Sequence, residues 1–318
     1  MFCVEKDLAM CGLACVLCSV TDCPGCKARG CAGASDCSVY RCATEKGLDG
    51  CYQCDDFPCG EKMLQGVRNR AFNRYTQQFG KAALLERLRI NQENGIVYHR
   101  PDGLKGDYDA PETEEDMLRL IRFGHRDPYV KCPEFETAHF RLRQVREEDA
   151  EALLRAFYGD LSAWMFYGNE MCNSIFAGRY ATLDEMKKCI RVWLAVYADR
   201  FFIRLTVLDK KSETPIGTIE IFDNIHSEDN WKQEEARHGL VLHMDLAEHC
   251  EKQAYIAELL DLADREINEI FGFDHILIRA APEAGERIAA LRDAGYVPFA
   301  WEPGREHYYV KRRYPQGD

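Results

Sequence analysis

C-G-L-A-C-V-L-C at Cys11–Cys18, followed by C-P-G-C at Cys23–Cys26 and C-Y-Q-C at Cys51–Cys54, decides how the front of this chain is read. Each C-x2-C pair lets two thiolates from one tight turn reach a single tetrahedral ion. Three such pairs (Cys15 with Cys18, Cys23 with Cys26, Cys51 with Cys54) in one short segment point to structural zinc. Twelve of the sixteen cysteines fall in the first 59 residues, and thiols that dense must be oxidised, bind metal or remain reactive. A secreted disulfide framework would need an export signal, yet Glu5, Lys6 and Asp7 stand where its apolar run should be. Cys132, Cys172, Cys189 and Cys250 are scattered singly, as in reduced cytosolic chains, so the expectation is a cytoplasmic protein that binds metal.

An iron-sulfur cluster is the competing occupant. Cys11-x3-Cys15-x2-Cys18 has the spacing of the cluster loop in radical S-adenosylmethionine enzymes, but Leu17 stands where those loops usually carry an aromatic residue. The next forty residues also hold more cysteines instead of the alternating strands and helices of a barrel, which favours zinc. The run C-G-L-x-C-x2-C at 11–18, C-x-G-C at 23–26, R-C-A-x-E-K-G at 41–47 and C-x2-C-x2-F-P-C at 51–59 resembles a cysteine-rich domain of unknown function found in many bacteria and archaea. The resemblance implies a small metal-binding module over residues 1–60. By position Cys15, Cys18, Cys42, Cys51, Cys54 and Cys59 are its first candidate ligands, with Cys11, Cys23, Cys26 and Cys37 next and Cys3 and Cys31 as bystanders.

At 318 residues the chain should hold about two domains. No apolar run approaches the ~20 residues that span a bilayer, so no membrane partner is expected. The net charge of -12 argues against nucleic acid as a partner, because phosphate backbones would be repelled. Residues 61–132 read as a helical bridge that packs the module against the carboxyl-terminal domain. Helices are expected over Glu61–Gln78 and Lys81–Asn91, and a third, capped by Thr113 with Asp116, through Phe123.

Residues 133–318 alternate differently. Strands are expected at His139–Val145, Phe202–Leu208, Pro215–Asp223, His238–Asp245, His275–Ala280, Tyr296–Trp301 and His307–Arg312. Helices are expected at Glu147–Tyr158, from Thr182 (with Glu185) to Ala198, from Glu251 to Phe271, and over Glu283–Ala294. This succession, with Ile216-Gly217-Thr218-Ile219 on a strand and Ala294-Gly295-Tyr296 closing a helix, resembles the GNAT superfamily of N-acetyltransferases, most nearly its ribosomal-protein branch. The fold class expected is therefore α+β, a small zinc-binding module with a helical extension followed by a mixed-sheet acyl-coenzyme A N-acyltransferase fold.

The resemblance implies acetyl-CoA as donor and a small amine or a protein amine as acceptor. It places Val241 and Leu242 against the thioester, and Lys252, Gln253, Ala254 and Tyr255 at the phosphate-binding turn. Glu251, Lys252 and Ala254 stand where the family carries Arg, Gly and Gly, and Ala284 and Leu291 replace its Asn and Tyr. Glu220 and His243 are the candidate general bases, although alternating strands also carry ordinary solvated polar residues. Two functions are open: an N-acetyltransferase with a zinc module, or a non-catalytic scaffold for binding or metal and redox sensing, with the cysteine module meeting a protein partner.

Overall fold

The computed structural model describes residues 2–20, 22–29, 36–100, 104–158, 180–223, 239–273, 275–300 and 306–312. Cys31, Cys172 and the strand-opening His238 lie outside them. The chain divides into two compact units, Met1–Asp127 and Pro128–Asp318. No helix among the described residues is long and apolar enough to cross a membrane.

Among the described residues of the first unit, the thiol-rich segment forms short turns, at Val4–Lys6, Cys15–Leu17 and Cys51–Gln53, and one helix, α1 (Ser38–Glu45). Helices α2 (Val67–Phe79), α3 (Lys81–Glu93) and α4 (Glu114–Phe123) come next, and the Thr113 hydroxyl accepts the Asp116 N–H at 3.1 Å to start α4. The helices are not a separate bridge. Leu8, Val16 and Leu17 share one buried cluster with Phe72, Leu84, Leu88, Met117 and Ile121, so the division expected at residue 60 falls inside a common core. The reason is physical: a segment of short turns has too little apolar surface to bury alone, and α2 to α4 supply the rest. The Asn69 and Asn73 amides both donate to the Cys11 carbonyl, at 3.1 and 2.9 Å, fixing the first thiol turn on α2. Gly12 (φ +87°) is needed there, since a Cβ would lie 2.2 Å from Asn73 Nδ2.

Among its described residues the second unit has eight strands: β1 (Phe135–Glu136), β2 (Phe140–Gln144), β3 (Phe202–Asp209), β4 (Thr214–Asp223), β5 (Gly239–Leu246), β6 (His275–Arg279), β7 (Val297–Phe299) and β8 (Tyr308–Arg312). They form one sheet in the order β1-β2-β3-β4-β5-β6-β8-β7, antiparallel except for the parallel β5–β6 pair. Between β2 and β3 run a helical segment, α5, made of Glu147–Asp149, Ala150–Leu153 and a wider-wound Leu154–Tyr158, and then α6 (Leu183–Ala198). Helix α7 (Gln253–Leu262) joins β5 to β6, and α8 (Gly285–Asp293) comes after β6. The single helix expected over Glu251–Phe271 starts two residues later and widens over Ala263–Ile267 before Asn268–Phe271; Gly272 (φ +65°) ends it in the left-handed region.

Strand periodicity then sorts the side chains. The register Arg204↔Glu220↔His243 puts these three, with Thr218 and Asp245, on one face, and Ile203, Ile219, Ile221, Leu242 and Met244 on the other. The polar face meets α5 and α6 through Tyr158 and Trp193.

Candidate active site

β5 and β6 part company before either ends. Their parallel pairing runs from Gly239↔His275 to Leu242↔Ile278, while β5 stays paired to β4 as far as Leu246. Residues His243–Leu246 of β5 therefore border a wedge, with β4 on one side and no β6 partner on the other among the described residues. Val241 and Leu242 occupy the last two rungs of the closed part. His243 is the first residue past the opening.

His243 is oriented by a carboxylate. Its Nδ1 lies 3.1 Å from Glu220 Oε1, and the other Glu220 oxygen is ion-paired with the Arg204 guanidinium. Glu220 is not the solvated strand residue that alternation allows: its side chain is 6% exposed and that of Arg204 3%, whereas His243 reaches the surface at 17%. Burial pushes the Glu220 carboxyl up, but Arg204 and the His243 bond more than reverse this and hold it at about 2. A carboxylate that acidic is a poor proton acceptor but a good orienting anion, so of the two candidate bases His243 remains the candidate acceptor, with Glu220 placed to orient it.

Behind the dyad lies a network that sequence reasoning did not find. Arg204 Nη1 donates to Asp245 Oδ2 at 3.1 Å, to the Tyr158 hydroxyl at 2.9 Å and to Thr218 Oγ1 at 3.1 Å, and its guanidinium stacks 4.1 Å from the Trp193 ring. Tyr158 in turn donates to Asp245 Oδ2 at 2.6 Å. One guanidinium faces two fully buried carboxylates, and Glu220 makes the closer contact with it. Asp245 is left to its burial, which lifts it to about 8. An arginine within a β-branched, apolar strand was the available signal, since a buried cation requires a partner on the facing strand.

The second half of the candidate site is the turn after β5. Lys252 caps α7, and Gln253, Ala254 and Tyr255 form its first turn. The Gln253 N–H donates to Glu286 Oε2 of α8 at 2.8 Å. Glu251 is ion-paired with the buried Arg287 guanidinium, also from α8. Tyr308 and Tyr309 of β8 are buried at 4% and 8% exposure. Ala284 and Leu291 are likewise buried, the latter completely.

In the first unit the cysteines gather without converging. Cys11 lies within electrostatic reach of Cys15, Cys26 and Cys37, and Cys51 within reach of Cys11, Cys42, Cys54 and Cys59; Cys15 senses Cys18 and Cys23. Backbone N–H groups of Leu13 and Cys26 point at the sulfurs of Cys11 and Cys15, and Lys46 Nζ lies 3.4 Å from Cys54 Sγ. Every described cysteine is free of disulfides. Yet no group of three or more Cys, His, Asp or Glu among the described residues is disposed to hold a metal ion. The donor chemistry fits a thiophilic ion; the thiol positions do not close around one.

The profile of a family described as a protein of unknown function, DUF3795, matches residues 19–63. No curated protein matches the chain. Among solved structures, a GNAT-family acetyltransferase from Bacillus anthracis is similar at 11% identity and a TM-score of 0.40, over 57% of this chain and 99% of that one. A ribosomal-protein-S5-alanine acetyltransferase from Vibrio fischeri is similar at 14% identity and 0.36, over 57% and 97%. A spermidine N-acetyltransferase from Vibrio cholerae, solved with CoA and spermine, is similar at 15% identity and 0.39, over 55% and 94%. What the second unit can do is read from its own side chains.

Proposed function

We propose that the second unit is an N-acyltransferase in which His243 accepts the proton of an attacking amine while the acyl thioester lies in the wedge between β5 and β6. The observation that carries this reading is the Arg204–Glu220–His243 alignment, which holds one imidazole at the wedge opening with its Nδ1 engaged by a buried anion. Glu220 fixes the tautomer that leaves Nε2 as the acceptor, and it stabilises the imidazolium once the proton arrives. The acceptor is a small amine or a protein amine, as in the spermidine and ribosomal-protein enzymes to which this unit is similar. Incubating the full chain with acetyl-CoA and, separately, with S-acetyl-pantetheine, each with a panel of polyamines and amino-terminal peptides and acylated product read by mass spectrometry, tests it. His243→Asn should abolish turnover. A His243→Asn protein as active as wild type would overturn the assignment.

The first unit is proposed as a structural zinc module on donor chemistry alone: free thiols in two neighbouring groups, with N–H donors aimed at two sulfurs. Cys11, Cys15, Cys18, Cys23, Cys26, Cys37, Cys42, Cys51, Cys54 and Cys59 are its candidate ligands. Elemental analysis of protein purified without added metal, in air and anaerobically, separates zinc from iron with sulfide.

The scaffold reading for the second unit has one observation in its favour, the Glu286 carboxylate on the N-terminus of α7. Saturating acetyl-CoA at about a hundredfold above its Kd would raise stability by ~2.7 kcal/mol if the donor binds. A melting transition unmoved by acetyl-CoA, coenzyme A and pantetheine alike would leave the scaffold reading ahead.

A further inference from the structure

Two parallel strands that separate at their carboxyl ends, with a helix starting beside them, make a crevice suited to a ligand whose anionic end meets the helix N-terminus. Here the chain fills that end itself. The Gln253 N–H is taken by Glu286 Oε2 at 2.8 Å, and the Gln253 side-chain amide by Asp293 Oδ2 at 2.6 Å. Two residues before α7, Glu251 is held by Arg287 through Nε at 3.2 Å and through Nη2, with side-chain exposures of 8% and 3%. The charge of Arg287 is thereby matched inside the protein. Lys252, the remaining cation of the turn, lies with its ammonium 5.7 Å from the Tyr255 ring centroid. A diphosphate entering this position would have to displace Glu286 and would face Glu251 and Asp293, with Lys252 as the nearby cation. The edge of β5 at His243–Leu246 is open to an extended amide-bearing arm and does not involve the closed turn.

We infer that Glu286 and the Glu251–Arg287 pair keep nucleotide diphosphates off the N-terminus of α7, making the wedge specific for thioesters whose pantetheine arm carries no diphosphate. This specificity rests on the acyltransferase reading above and names its donor class. Isothermal titration of the full chain with pantetheine and with coenzyme A tests it, and because Glu286 is exposed its replacement does not open the core. In wild type, coenzyme A should bind no tighter than pantetheine. In Glu286→Lys, coenzyme A should tighten by about tenfold or more, in a salt-dependent way, with pantetheine unchanged. Wild-type binding of coenzyme A about tenfold or more tighter than pantetheine would overturn the specificity and leave the acyltransferase reading standing. So would a Glu286→Lys protein that binds coenzyme A no better than wild type. If neither ligand binds either protein, the acyltransferase reading falls and the specificity with it.

Discussion

Arg204 is one cation set against two buried carboxylates, and the imbalance fixes how the second unit should respond to pH. Glu220, lowered to about 2, contributes stability that is complete above the ordinary glutamate range and is lost as pH falls from there through 2. Asp245 works in the opposite direction. Lifted to about 8, it keeps its proton in the folded state where the unfolded chain has released it, so stability declines as pH rises from about 4 towards 8. From these two groups the unit should be most stable in mildly acidic solution. Asp245→Asn, which copies the protonated acid, should flatten the decline between pH 5 and 8.5 and leave the mutant more stable than wild type at the alkaline end. Urea unfolding at a series of pH values checks this, and parallel pH profiles for the two proteins would refute the assignment of the proton to Asp245. Replacing Arg204 by Met strands the Glu220 carboxylate and removes a donor from Asp245, Tyr158 and Thr218, and should cost about 3–5 kcal/mol, more than Glu220→Gln, which leaves Arg204 the Asp245, Tyr158 and Thr218 contacts.

At the scale of elements, what could be read ahead was whatever has a local cause. Thr182 with Glu185 announced a capping box, and it forms: the Glu185 N–H donates to Thr182 Oγ1 at 3.2 Å and the Thr182 N–H to Glu185 Oε2 at 3.1 Å. Alternation placed β2 to β6 within a residue or two of their observed bounds. The wide turns at Leu154–Tyr158 and Ala263–Ile267 had no such signal, because sequence periodicity does not distinguish a residue inserted into a helix from a regular turn. The Arg204 network was hidden for a different reason, since its members come from three strands, α5 and α6, and only the fold brings them together. Glu220 and His243 were legible as candidates, but their ranking required knowing that they face each other. Two substitutions test the elements directly. Thr182→Ala removes the cap of α6 and should cost about 1 kcal/mol, measured as a shift in the urea midpoint at unchanged slope. Gly217 sits where β4 presses on β5, and a Cβ there would lie 1.9 Å from the Asp245 carbonyl oxygen. Gly217→Ala should cost about 1–3 kcal/mol by forcing the strands apart beside the wedge, and a fully stable Gly217→Ala protein would show that the approach is looser than drawn.

At the scale of the molecule, each unit has a core of its own, so the full chain should melt in two transitions rather than one. The first unit's share is where metal would matter. Burial, reinforced by neighbouring thiols, pushes Cys11 up to about 11 and Cys51 to about 12, so in metal-free protein at neutral pH both are protonated. An ion can be bound only by thiolates, and loading must therefore expel those protons and weaken as pH falls. Zinc titrated into apo-protein in two buffers of different ionisation enthalpy should release protons, and a strong chelator should lower the first unit's transition while leaving the second in place. Chelation that moves neither transition, with no proton release on adding zinc, would show that thiol chemistry other than metal binding holds the front of this chain.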